Sequence, residues 1–204
     1  MRIIIKGADL YSPSTDERPE GGVLYRAGRR IKARQQLGFD LNEREQRNLI
    51  VGEVAEAAVA MDYRNRGFQV NEVSWEEFNN KHIMECGTDL FVHKGSLTQK
   101  IQVKGSEFGN RALRGHHMFD YEREKIDKII FVAVRELKAL DGELYFECEL
   151  TSQLSPRQIR QSASWTKPVN DWIHVENAEF IKQWILESSR KGATQFLTPE
   201  YIWN

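Results

Sequence analysis

Cysteine is scarce in this chain. Cys86 and Cys148 are the only two, widely separated and in no CxxC spacing, which excludes a disulfide scaffold and a cysteine-rich zinc site. Long apolar runs are missing too: none approaches the roughly 18 residues of a membrane span. Residues 1–6 are too short for the core of a signal peptide. The expectation is a soluble cytoplasmic protein with no membrane partner. Neither sign of charge is in excess, with 29 Lys+Arg against 30 Asp+Glu and a net charge of −1. Taken alone, that balance argues against a uniformly basic nucleic-acid binder, although partners respond to the local field and not to the sum. Internal repeats and low-complexity tracts are also absent.

What is present suffices for a core. Apolar residues make up 40% of 204, with 10 Phe, 6 Tyr and 5 Trp, so disorder over the whole length is excluded. The length predicts one domain with appendages. The charge is unevenly spread: Arg26, Arg29, Arg30, Lys32 and Arg34 fall in one stretch without an acid.

The apolar spacing predicts a mixed architecture. Residues 1–6 read as a short strand and residues 8–22 as a polar loop or arm. Leu49, Ile50, Val54, Ala57, Ala58 and Met61 recur at helical steps, predicting a helix over 42–66. Asn42 and Glu45 cap its start, and Gly67 ends it before a strand at 68–73. Residues 75–80 read as a helical turn. Strands at 88–93 and 98–104 flank a Lys-Gly-Ser turn, a hairpin signal. A loop over 106–117 leads to a helix at 118–127. The unbroken apolar run 129–134 fits a strand covered on both faces, with 144–150 beside it. Pro156 opens a helix to about 162, followed by a strand at 172–175 and a helix at 178–190. The order predicts an α/β (α+β) fold around a central mixed sheet flanked by helices.

Chemistry-bearing residues fall on this scaffold in sequence. Glu53 and Glu56 lie on the long helix, Asp89 opens one hairpin strand, and Gln102 and Lys104 end the other. Residues two apart in a strand share a face, so Gln102 and Lys104 point one way and Val103 points into the core. The hairpin brings Asp89 to that polar pair, and a helix acid completes a small anionic pocket with one cation. Such a pocket suits phosphodiester hydrolysis. Mg²⁺ takes oxygen ligands, few from protein and the rest from water and phosphate, and Asp89, the Gln102 amide oxygen and the Val103 carbonyl supply them. Lys104 would orient or deprotonate the attacking water, or stabilise the transition state as a point charge.

Gly52-x-x-x-Glu56, Gly67-Phe68-x-Val70, Thr88-Asp89 and Gln102-Val103-Lys104 together resemble the PD-(D/E)xK nuclease superfamily. More narrowly, they are similar to its small branch with glutamine in the third motif, seen in some homing endonucleases, type II restriction enzymes and Holliday-junction resolvases. The likeness covers about residues 52–104, with 129–134 as the expected later strand. Thr88 replaces the eponymous proline, and Gln102 replaces an acid. The resemblance implies a restriction-endonuclease-like core over 42–150, preceded by a strand and basic arm (1–41) and followed by a helical extension (151–204). It implies Mg²⁺, with Mn²⁺ able to substitute, and a site of Asp89, Gln102, Lys104 and Glu56, with Glu53 as runner-up helix acid.

DNA, duplex or branched, is the expected partner. Arg26, Arg29, Arg30, Lys32 and Arg34 would contact phosphates, and Arg111 and Arg114 would contact backbone or guanine edges. A homodimer follows if both strands of a duplex are cut. His82, Cys86 and His93 lack a convincing zinc spacing, and His116 and His117 read as polar loop residues. The alternative from another class is an inactive nuclease-like fold that binds nucleic acid or protein, since Gln102 weakens the metal site.

Overall fold

The structure is a computed structural model that describes residues 2–6, 23–72, 88–109, 111–138, 144–166, 172–175 and 178–191. The expected loop at 8–22 and turn at 75–80 lie outside these residues.

Among the described residues a six-stranded mixed sheet forms the centre: β1 (Arg2–Lys6), β2 (Gln69–Glu72), β3 (Leu90–Lys94), β4 (Leu97–Ser106), β6 (Lys128–Lys138) and β7 (Leu144–Leu154), in the order β1-β7-β6-β4-β3-β2. β4 and β6 run parallel, and the other neighbours are antiparallel. A second sheet joins β5 (Ala112–Arg114), β9 (Trp172–Val175) and β8 (Ala163–Thr166). The helices are α1 (Val23–Gln36), α2 (Glu43–Asn65), α3 (Gly115–Arg123), α4 (Pro156–Ser162) and α5 (Ala178–Lys191). This is an α/β (α+β) fold.

Three differences from the sequence reading stand out. The basic stretch is a helix, α1, packed on α2. The expected loop at 106–117 contains β5, which pairs with β9. The C-terminal segment carries a further strand, β8, between α4 and the expected strand at 172–175, which is β9.

α2 starts as its cap predicts. The Asn42 side chain accepts from the Glu45 amide at 3.0 Å, and the Glu45 carboxylate accepts from the Asn42 amide at 3.0 Å, satisfying two otherwise orphaned donors. It ends at Gly67, whose φ of 78° suits glycine. There the Gly67 amide donates to the Arg64 carbonyl and the Phe68 amide to the Tyr63 carbonyl, the paired bonds of a Schellman stop.

β6 is covered on both faces, as its unbroken apolar run predicts. Ile130, Val132 and Val134 join Val51, Val54, Ala55 and Ala58 of α2 in one core. Ile129 and Phe131 join Met118 and Tyr121 of α3 and Ile159 of α4 in another. Ile101 and Val103 of β4 face the α2 core. At Gly105 the helix comes so close that an added Cβ would sit 2.8 Å from both the Ala55 Cβ and the Val51 carbonyl oxygen. Space, and not φ, requires glycine there.

Candidate active site

The hairpin of β3 and β4 registers Leu90 opposite Ile101. Asp89, one residue before β3, donates its amide to the Ile101 carbonyl at 2.9 Å. That anchor turns the Asp89 carboxylate onto β4 at Gln102 and Val103. Its Oδ2 accepts from Gln102 Nε2 at 2.5 Å and from the Val103 amide at 2.6 Å. Gln102 Nε2 also donates to the Val103 carbonyl at 3.2 Å. With its nitrogen so committed, the amide presents Oε1 as its remaining polar atom.

Strand alternation puts Val103 in the core and Lys104 on the α3 side, as the sequence predicts. The Lys104 ammonium lies 5.5 Å from the centre of the Tyr121 ring and bonds to the Tyr121 hydroxyl. Burial works against the ammonium, but Tyr121, Asp89 and Glu56 outweigh it and hold the Lys104 pKa above the ordinary lysine value. Tyr121 is itself pushed up, by burial first, with Lys104 opposing. Asp89 is raised to about 6: burial disfavours the carboxylate more than Lys104, the Val103 amide and Arg30 favour it.

The helix acids reach the same place. Glu53 and Glu56 of α2 both meet Arg30 of α1, whose Nη1 lies 2.8 Å from Glu53 Oε1 and 3.6 Å from Glu56 Oε1. Arg30 is also felt by Asp89, and Lys104 by Glu56. Glu56, Glu53, Asp89, Gln102 and Lys104 therefore gather where α2 meets the end of the hairpin. The expected pocket with one cation has two, Arg30 and Lys104.

Sequence reasoning missed two members. The sequence places Arg30 in an outward basic face, whereas the structure turns it onto the helix acids. Ala27, three residues earlier and fully buried, is the signal, because residues three apart share a helix face. Tyr121 stands in the same relation to the buried Met118 on α3.

The remaining basic residues are more dispersed. Lys32 and Arg34 are exposed on α1. Arg26 and Arg29 lie in α1 and Arg114 ends β5, with their side chains outside the described set. Arg111 donates from Nη2 to the Thr151 carbonyl at 3.0 Å, and burial lowers its pKa. Trp184 is a core residue, donating from its indole nitrogen to the Glu107 carbonyl at 2.9 Å. His82 and Cys86 lie outside the described residues. Among those described, no group of three His, Cys, Asp or Glu side chains is arranged to hold a metal ion, and no helix is long and apolar enough to cross a membrane.

No family model matches the chain, and no curated protein is significantly similar to it.

Proposed function

We propose that the protein is a divalent-metal-dependent DNA endonuclease on a restriction-endonuclease-like core, hydrolysing phosphodiester bonds by attack of water. The observation that carries this reading is the Asp89 carboxylate clasped by Gln102 and the Val103 amide, with Lys104 and the helix acids beside it. The donor chemistry fits Mg²⁺ or Mn²⁺. Asp89 Oδ2 is occupied by two hydrogen bonds, which leaves Oδ1 and Gln102 Oε1 as hard oxygen donors, while the Val103 carbonyl already accepts from Gln102 Nε2 and has one further lone pair to give. Glu56 or Glu53 is the further acid. An ion with so few protein ligands keeps most of its water shell, as Mg²⁺ does. When bound, it would lower the pKa of water and stabilise charge on the phosphoryl group.

The protein's own side chains supply the rest. Lys104, fixed on Tyr121, stays protonated and serves as a point charge for a phosphate oxygen or as the group that orients water. Val103 excludes solvent from behind. Lys32 and Arg34, exposed on α1, suit phosphate contacts; the same role is proposed for Arg26, Arg29 and Arg114 from the sequence alone, while Arg111 is held to the Thr151 carbonyl. A homodimer would cut both strands of a duplex, and the cytoplasm is the natural setting.

Two observations favour a second reading, a nuclease-like fold that binds without cutting: Arg30 pairs with both helix acids, and Gln102 contributes no charge. The two readings are separated by incubating the protein with plasmid, linear duplex and four-way junction in Mg²⁺ or Mn²⁺. Cleavage abolished by chelation, and reduced about 10²-fold or more in both Asp89→Ala and Lys104→Ala, is the expected result. Binding without cleavage of any substrate in either metal would hand the function to the second reading.

A further inference from the structure

We propose that Arg30 is an internal competitor for the divalent cation, so that its guanidinium, and not the hairpin residues alone, sets how tightly the site takes metal. This inference rests on the metal-dependent reading above. Its starting point is charge. Glu53, Glu56 and Asp89 contribute three negative charges when ionised, and Arg30 and Lys104 contribute two positive ones. The site with Arg30 in place holds one net negative charge; without it, two. Gln102, standing where the resemblance expects an acid, does not make up the difference.

Geometry gives that charge its force. The Arg30 side chain is 17% exposed and the Glu53 side chain 9%, so water screens their attraction poorly. The guanidinium spans both helix acids through one nitrogen, at 2.8 and 3.6 Å. Each oxygen it occupies is withdrawn from a metal, and its fixed positive charge repels any cation arriving at Asp89. In the metal-free protein the same contact has a protective effect, because two carboxylates within one helical turn would otherwise repel each other with little solvent to help. An arginine cannot be neutralised at any physiological pH, so the competition is permanent and yields only to a cation or to movement of α1. The other groups facing this guanidinium, Asp89 and Arg34, act in opposite directions on the same balance.

The test is direct titration of metal-free protein with Mn²⁺ in the absence of DNA, by calorimetry or by electron paramagnetic resonance. Arg30→Met keeps the aliphatic stem and removes the charge, and it is expected to tighten Mn²⁺ roughly tenfold or more. Arg30→Lys keeps the charge and is expected to stay within about threefold of wild type. If the single Met variant does not fold, Arg30→Met/Glu53→Gln removes both members of the buried pair and is compared with Glu53→Gln, over which the same tightening is expected. Asp89→Ala serves to show that the binding belongs to this site. Asp89-dependent binding that appears or tightens on removal of Arg30 supports the proposal. Asp89-dependent binding that is unchanged or weakened by removal of Arg30 overturns it while leaving the metal site standing. Absence of Asp89-dependent binding in every variant overturns both.

Discussion

At Asp89, burial and function pull in opposite directions. The proposed metal-dependent reaction needs the carboxylate as an anion, yet its surroundings push the pKa from 3.8 to about 6, with burial as the largest cause. Between about pH 4 and 6 the folded protein therefore holds a proton at this position that the unfolded chain has released. Stability from this group is greatest below that window and falls as pH rises through it, leaving a standing cost above pH 6. Asp89→Asn keeps the shape and removes the ionisation. It should raise stability at pH 8 by on the order of 1–3 kcal/mol, with the gain vanishing near pH 4, as thermal melts at the two pH values would record. A variant less stable than wild type at pH 8 would mean that the ionised carboxylate is well paid by its two hydrogen bonds. Single residues are where the sequence says both most and least. Gln102, Val103 and Lys104 could be assigned to faces because strand alternation has a period of two. Arg30 is hard to assign because a cluster of like charges suggests a solvated surface, and among the described residues of α1 the buried apolar one is small Ala27.

Elements that announce themselves by period and cap were legible before any coordinates. α2, with its capping box and terminal glycine, is the best case, and β6, with apolar residues on both faces, is another. α1 hid its helical spacing behind five basic side chains. β5 and β8 are three and four residues long, too short for periodicity to speak, and the pairing of β5 with β9 comes from distant sequence. The spacing between α2 and β4 is a quantity no single-sequence pattern reveals. It is set at Gly105, where the backbone of Val51 and the side chain of Ala55 occupy the room that a Cβ needs. Gly105→Ala should therefore push α2 away from the sheet and lower stability by about 1–3 kcal/mol in a denaturant titration. Because Glu53 and Glu56 ride on α2, the same change should disturb Arg30 and Asp89 through the shared site. An alanine variant of wild-type stability would show that the helix can move at no cost.

Over the whole molecule, a net charge of −1 conceals extensive internal pairing. Arg2 meets Glu147, Glu149 and Glu187, Arg47 meets Glu107 and Glu136, Arg135 meets Glu147, and Arg160 meets Glu122. Basic side chains committed in this way offer little to a polyanion. The exposed Lys32 and Arg34 carry the expectation instead, so DNA affinity should fall with salt at a slope of roughly −0.9 for each phosphate neutralised. Lys32→Ala/Arg34→Ala should flatten the plot of log affinity against log salt by about two such increments. A slope unchanged in the double variant would remove α1 from the nucleic-acid interface.

The pairing of β1 with β7 joins Arg2 to Glu149 and Lys6 to Tyr145. Among the described residues β1 thus pairs with β7 alone, Arg2 facing a residue 147 positions later in the chain. As the polypeptide leaves the ribosome, β1 emerges well before β7 and can be seated only after β7 has appeared. Until then β7's outer row of backbone donors and acceptors has no cover, the condition that invites pairing with another nascent chain.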